Sequence, residues 1–335
     1  MGLLDNVLSK FSESLVINSA LCSRIRHKKS ECSRCMDSCP NEAIDITRAG
    51  GKVLVSWESC TACGECITAC PNSVFSIKLV DKNRIYTAMK ECIAESGEAV
   101  FTCLKGKDDC RAFLPSLAYA DRKLLVKAAL CGAERIVLMH GECGDCRHSK
   151  CRETFEKEID TVRRIFQLAG VDIKISVETD AGNKDKKRAA ERLRKDEKAM
   201  SRREFFSFVG NRTKQSVGQT IYSISENDQD RKKTVLFAET DRGKSFSEDL
   251  VAIGGDALPG LLRKEGLLPS VSIDKTTCTN CAVCSRMCPF GVFEPIYKEI
   301  KGRQKVIDIQ MNLNACTGCG ICAIACMSKS ITCQK

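Results

Sequence analysis

In the middle of the chain, hydrophobic patterns typical of strands alternate with patterns typical of helices. Continuous apolar runs at Ala99–Cys103 and Arg135–Met139 predict buried strands, and the alternating run Val171–Val177 predicts a third strand. Between and after these runs, Leu114–Leu130 and Lys150–Ala169 have the spacing of helices with one apolar face. Because strands alternate with helices, the pattern predicts a small parallel α/β domain.

The two ends of the chain show a different pattern. Short β-like pieces at Val53–Ser56, Val271–Ile273 and Val306–Ile309 lead into loops rich in cysteine, and the chain has 24 cysteines in 335 residues. Residues 1–21 read as an amphipathic helix rather than a signal peptide, and no stretch approaches the length of a spanning helix. Since reducing compartments disfavour disulfides, we expect a cytoplasmic protein whose cysteines hold metal.

Sixteen of the cysteines fall in four runs, two near each end of the chain. Three runs, beginning at Cys60, Cys278 and Cys316, have the spacing C-x2-C-x2-C-x3-C; proline follows the first two, and Met327 takes its place in the third. The fourth run starts at Cys22 and, after a gap, continues as Cys32-x2-Cys35-x3-Cys39-Pro40. This spacing is typical of cubane iron–sulfur clusters. Zinc is the alternative, but zinc sites use two cysteine pairs rather than triplets with a separate fourth ligand.

At these residues the chain resembles bacterial-type two-cluster ferredoxins, once at about 20–80 and again at about 270–335. In such ferredoxins the fourth cysteine of each run ligates the cluster of the other run. The resemblance implies four [4Fe-4S] clusters, each held by one of four thiol sets. The first set is Cys22, Cys32, Cys35 and Cys70; the second is Cys39, Cys60, Cys63 and Cys66; the third is Cys278, Cys281, Cys284 and Cys326; the fourth is Cys288, Cys316, Cys319 and Cys322.

Five further cysteines follow the predicted strands of the middle domain. They are Cys103, Cys110, Cys143, Cys146 and Cys151. Because the carboxyl ends of parallel strands meet at one edge, we expect these thiols to converge there, whereas Cys131 should lie at the opposite edge. For His140 and His148, which flank the loop, we expect hydrogen bonding rather than ligation.

The segment CGAERIVLMHGECGDCRHSKC, with the helix after it and VDIKISV, resembles the iron–sulfur delta subunit of viologen-reducing hydrogenases. That family is thought to pass electrons between a hydrogenase and heterodisulfide-reductase-type partners through a [2Fe-2S] centre. The resemblance implies a [2Fe-2S] cluster held by four of the five middle cysteines. Zinc and unliganded thiols are the alternatives.

Bound clusters would compensate most of the formal net charge of +10. Sixteen thiolates add sixteen negative charges and four oxidised [4Fe-4S] cores add eight positive charges, which leaves a net charge of +2. Residues 184–214 hold much of the remaining positive charge, and their aromatic residues, Phe205, Phe206 and Phe208, lie together instead of being interleaved with the basic residues as on a nucleic-acid surface. We therefore expect an acidic protein partner and no nucleic acid. The chain also lacks a G-x-G-x-x-G fingerprint and a recognisable nucleophile and base.

These observations predict an α+β protein with two ferredoxin-like 2[4Fe-4S] modules and a small parallel α/β domain between them. We expect a ferredoxin module at 1–90, the α/β domain with its cysteine-rich loop at 91–180, a basic helical linker at 181–235, and a second ferredoxin module at 236–335.

The predicted function is an electron-transfer subunit that relays single electrons between a catalytic redox subunit and another carrier. The candidate partners are a molybdenum or tungsten enzyme, a hydrogenase, a formate dehydrogenase or a heterodisulfide-type reductase, in an anaerobe, with soluble ferredoxin as a further carrier. Two alternatives remain open. One is an oxidoreductase whose middle domain itself reduces a small substrate at an open cluster site, and the other is an assembly scaffold with redox-silent clusters.

Overall fold

The computed structural model describes residues 15–47, 51–77, 82–103, 112–141, 143, 146, 148–179 and 241–334. Cys110 and the predicted linker at 181–235 lie outside the described residues. Across the described ranges, no helix is long and apolar enough to cross a membrane.

The first module consists of two antiparallel strand pairs and three short helices. Strand β1 (Leu15–Ile17) pairs with β4 (Phe75–Ile77), and β2 (Ile44–Thr47) forms a hairpin with β3 (Lys52–Val55). The helices are α1 (Ser23–Arg26), α2 (Arg34–Asp37) and α3 (Glu65–Ala69). The apolar faces of these strands and several cysteine side chains share one buried cluster around Phe75. The cysteines are therefore part of the core of the module.

The middle of the chain forms the predicted parallel sheet. The elements are α4 (Lys82–Ser96), β5 (Glu98–Thr102), β6 (Ala112–Phe113), α5 (Arg122–Leu130), β7 (Arg135–His140), α6 (Cys151–Ala169) and β8 (Lys174–Thr179). The strand order is β6-β5-β7-β8, and every neighbouring pair is parallel. The predicted parallel sheet in the middle of the chain is confirmed, and small antiparallel sheets lie at each end.

The predicted helix over Leu114–Leu130 is wrong in its first half. A 3-10 turn at Leu117–Tyr119 occupies that half, and the Ser116 side chain caps it by accepting a hydrogen bond from the amide of Ala118. Helix α5 begins only after Asp121, whose carboxylate accepts from the Leu124 amide. Two N-cap side chains close together split one apolar run into two elements.

Two helices that follow in sequence, α7 (Asp241–Gly254) and α8 (Leu258–Lys264), complete the core of the middle domain. Leu250, Leu258 and Leu262 are almost fully buried in the same hydrophobic cluster as the central strands of the sheet. The boundary expected at 236 places these helices in the second ferredoxin module because they follow the basic linker. In the structure they pack on the α/β core instead.

The last module repeats the plan of the first. Strand β9 (Ser270–Ile273) pairs with β12 (Ile331–Gln334), and β10 (Phe293–Ile300) forms a long hairpin with β11 (Arg303–Met311). The short helices α9 (Val283–Met287) and α10 (Ile321–Ala325) pack against each other. As in the first module, the first and last strands meet, a hairpin lies between them, and each cysteine triplet leads into a short helix.

Candidate metal centres

The second thiol set surrounds a cavity in the first module. All four cysteines of the set line this cavity. Burial raises the pKa of the Cys66 thiol, and the thiols of its own set, with Cys35 of the first set, add to the rise. A thiol whose pKa is raised in this way matches a positively charged metal core, which would stabilise the thiolate.

The first thiol set lies beside the second. The pKa of Cys35 is raised to about 12, mainly by burial and further by the other three thiols of the first set. The pKa of Cys70 is also raised, mainly by burial and further by Cys22 and Cys32. The structure therefore brings Cys22, despite its distance from the rest of its run in sequence, next to the fourth cysteine of the other run.

The fourth thiol set surrounds a matching cavity in the last module. All four cysteines line the cavity together with Cys333 from β12. Burial raises the pKa of Cys316 to about 11 and that of Cys322 to about 12, and in both cases the Cys333 thiol contributes to the rise. Sequence reasoning missed this fifth thiol because Cys333 belongs to no spaced run.

The third thiol set is more open. Burial raises the pKa of Cys284, and the thiols of Cys281 and Cys278 raise it further. Cys326 shares a hydrophobic cluster with Cys278 and Cys284, and the Ser328 hydroxyl helps to lower the pKa of its thiol, although burial acts in the opposite direction. Cys281 is exposed, so this set faces the surface of the module.

The cysteine loops share a repeated backbone conformation. In the three regular runs, the residues on either side of the second cysteine have positive φ: Ala62 and Gly64, Asn280 and Ala282, Gly318 and Gly320. Successive amides in such left-handed turns point into a common concavity that binds anions. Three of these positions carry a side chain, although this conformation costs a residue with a Cβ about 1–2 kcal/mol. The conformation therefore belongs to the loop and not to glycine alone.

The turn after the last cysteine of each run is also repeated. The third residue beyond that cysteine has positive φ in all four runs, at Glu42, Ser73, Gly291 and Lys329. In the last run the amide of Lys329 donates to the carbonyl of Cys326 at 3.2 Å, as Ser73 does to Cys70 at 3.3 Å. Met327 therefore occupies a proline position without changing the turn.

Two buried donors lie near the cavities. The Thr61 hydroxyl lines the second-set cavity and is buried, and its hydrogen bond helps to lower the pKa of the Cys63 thiol, which burial raises. The Nε atom of Arg263 is buried and unpartnered within the described ranges, while its Nη2 donates to Asn314 at 2.8 Å and Cys316 lies close enough to affect its pKa. Since cluster sulfurs accept hydrogen bonds, a bound cluster would give the Nε atom of Arg263 an acceptor.

Side chains of the middle domain donate hydrogen bonds to the backbone of the loop that carries the second set. Tyr119 donates to the carbonyl of Ala62 at 3.1 Å, and Ser116 donates to that of Cys63 at 2.5 Å. His148 donates through Nε2 to the carbonyl of Thr61 at 3.0 Å. The two modules thus meet at the residues between the ligand candidates. The sequence carried no signal for these contacts, since they depend on how two folded surfaces fit.

The four described middle cysteines lie near one another at the carboxyl edge of the sheet. Burial raises the pKa of Cys103, and the thiols of Cys143 and Cys146 add to the rise. Burial also raises the pKa of Cys151 to about 11, with smaller contributions from Glu65 and Cys103. Cys131 ends helix α5 and so lies at the amino edge. Among the described residues, no group of three or more His, Cys, Asp or Glu forms a site for a single metal ion.

Comparison with known families addresses the two ends of the chain. Residues 14–71 and residues 270–327 each match the model of the 4Fe-4S dicluster domain. Both modules are 4Fe-4S dicluster domains. The two dicluster domains flank the middle region, account for up to four [4Fe-4S] clusters, and support an iron–sulfur electron-transfer role. No curated protein and no solved structure matches the chain.

Proposed function

We propose that this chain is an electron-transfer subunit whose four thiol sets hold four [4Fe-4S] clusters and relay single electrons between a catalytic redox subunit and another carrier. The observation that carries the proposal is the convergence of four cysteines on one cavity in each dicluster domain. A bound [4Fe-4S] cluster supplies reversible one-electron chemistry.

The protein contributes ligands, exclusion of water and hydrogen bonds. Cys66 and Cys322 lie on short helices and are buried, which removes water from one side of each cavity. Cluster potential depends on net charge, hydrogen bonds to sulfur and exposure. Thr61 and Arg263 would supply such hydrogen bonds, so we expect the second and fourth sets to have higher potentials than they would without these donors.

We further propose that the middle cysteines hold a [2Fe-2S] cluster, in line with the resemblance to the delta subunit. The proximity of Cys103, Cys143 and Cys146 supports this proposal. The loop of the second set packs directly on the same domain, so an electron entering at the middle cysteines would be next to a dicluster domain. The partner enzyme would be one of the oxidoreductases named above.

Reconstitution of the full chain under anaerobic conditions tests the proposal. We expect iron and sulfide contents that match the proposed clusters, and reducible clusters in an EPR-monitored redox titration. Cys63→Ser should remove one [4Fe-4S] cluster and Cys143→Ser the [2Fe-2S] cluster, whereas Cys131→Ser should remove neither.

Other outcomes would overturn parts of the proposal. Clusters that no physiological potential reduces would support a scaffold. Turnover of a small substrate without a partner would support the alternative enzyme. Zinc instead of iron at the middle cysteines of the wild-type chain would refute the [2Fe-2S] assignment, as would iron content unchanged by Cys143→Ser.

A further inference from the structure

The two dicluster domains contact each other directly, although the middle domain separates them in sequence. The Thr317 hydroxyl donates to Oδ1 of Asn72 at 3.0 Å. Asn72 is only 2 % exposed, and its own amide group donates to the carbonyl of Leu21 at 2.9 Å. A buried amide with both ends hydrogen-bonded holds one position, so this contact fixes the domains at one place.

A second contact lies at the same junction. The Arg26 guanidinium donates through Nε and Nη2 to the carbonyl of Met287 at 3.2 and 3.1 Å. Its Nη1 donates to the carbonyl of Ala20 at 3.3 Å within its own domain. Hydrogen bonds from a charged donor are stronger than neutral ones, and a forked donor also fixes orientation.

The residues at the junction are neighbours of two particular thiol sets. Asn72 follows Cys70 by two residues, which places their Cα atoms within about 7 Å, and Leu21 precedes Cys22 directly. On the other side, Thr317 follows Cys316 and Met287 precedes Cys288. Cys70 and Cys22 belong to the first set, and Cys316 and Cys288 belong to the fourth.

We propose that the hydrogen bond between Asn72 and Thr317, with the one between Arg26 and Met287, joins the first and fourth thiol sets into one electron path through both dicluster domains. The proposal rests on the proposed function. At this junction one electron would leave a reduced centre in one domain and reduce a centre in the other, with no bond formed or broken and no proton required.

The positions of the remaining sets give the path a direction in space. Cys66 of the second set and Cys35 of the first set lie in the same hydrophobic cluster, and Tyr119 and Ser116 of the middle domain cover the loop of the second set. The third set has the exposed Cys281. The order is therefore middle cysteines, second set, first set, fourth set and third set. Cys146 and Cys281, both exposed, mark its two ends, where partners would exchange electrons.

Pulsed EPR on the fully reduced chain tests this order through the dipolar interactions between paramagnetic clusters. We expect an interaction between the two domains in addition to the one within each domain. Cys319→Ser, which disables the fourth set, should abolish the inter-domain interaction. Cys281→Ser, which disables the third set, should leave it in place. Interactions confined to isolated pairs within each domain would overturn the proposal.

Thr317→Val tests the junction itself, because valine keeps the shape of the side chain and removes the donor. We expect unchanged iron content, a weaker or more widely distributed inter-domain interaction, and a larger loss when Arg26→Gln is added. Thr47→Val is the matched control, since that hydroxyl donates to Lys52 within its own hairpin. The same interaction in Thr317→Val, in the double variant and in wild type would refute the role of these residues.

The readouts separate this inference from the proposed function. A redox titration that finds no reducible cluster overturns both. Reducible clusters without an inter-domain interaction overturn the path alone.

Discussion

The phenol ring of Tyr119 fills the space that a side chain at Gly64 would need. A Cβ at position 64 would lie 2.6 Å from the Cε2 atom of Tyr119, and Gly64 has φ +87°. The glycine therefore allows the middle domain to approach the second thiol set closely.

Gly64→Ala should disturb the first dicluster domain more than its backbone strain alone explains. Gly132→Ala is the control, because Gly132 has φ +91° and a Cβ added there would meet nothing within 4 Å. We expect Gly132→Ala to cost about 1 kcal/mol and Gly64→Ala clearly more, with loss of iron. Tyr119→Leu should recover part of the additional cost in Gly64→Ala, measured by denaturant unfolding as a double-mutant cycle. Equal costs at the two glycines would contradict the close approach.

Met327→Pro should stabilise the last module by about 0.5 kcal/mol, because proline restricts the unfolded chain and suits the second position of this turn. Cys326, the preceding residue, is already extended, as a residue before proline should be. Denaturant unfolding of the reconstituted chain measures the change. Pro71→Met, the reverse exchange in the equivalent turn of the first module, should lower stability by a similar amount. A stability loss in Met327→Pro would show that the turns differ.

Glu158 and Arg122 should make the stability of the middle domain depend on pH. Burial alone would raise the pKa of Glu158, but the hydrogen bonds and charge of Arg122 lower it below its usual value. The pair therefore stabilises the fold above the pKa of the unfolded carboxyl, about 4.3, and loses this effect as pH falls through the lower folded value. Glu158→Gln should cost about 2 kcal/mol at pH 7, and the difference from wild type should shrink in acid.

Because Glu158→Gln and wild type are compared at the same pH, any effect of acid on the clusters is common to both and cancels in the difference. Glu156→Gln serves as the control, because Glu156 pairs with Arg152 on the exposed face of the same helix. We expect that variant to change stability little at any pH. A constant difference between Glu158→Gln and wild type across the pH range would rule out the linkage.

Cys333 should be a neighbour of the fourth cluster rather than a ligand. It lines the same cavity as the four cysteines of that set, but it lies outside the spaced run. Cys333→Ser should therefore keep the full iron content, whereas Cys319→Ser should lose one cluster. Iron analysis and EPR of both variants distinguish the roles. Loss of iron in Cys333→Ser would assign it as a ligand.

The sequence predicted the features that follow from local spacing. Strands ending at Thr102 and His140 carry the middle cysteines to one edge because parallel strands share a direction. It could not predict the contact of Asn72 with Thr317 or of Tyr119 with the loop of the second set, since nothing in the periodicity of either segment specifies the surface it meets. Positive φ at Ala62 and Ala282 was also hidden, because alanine gives no sign of a left-handed turn.

Helices α7 and α8 make the core of the middle domain depend on a segment that is synthesised late. The sheet strands are complete by Thr179, but Leu250, Leu258 and Leu262 cover their core from a segment made much later. While the chain emerges from the ribosome, the first dicluster domain can fold on its own strands, whereas the α/β core keeps an uncovered apolar face until Leu262 has appeared. A nascent chain or a proteolytic product that stops before α7 would therefore expose an aggregation-prone apolar surface next to the folded first dicluster domain.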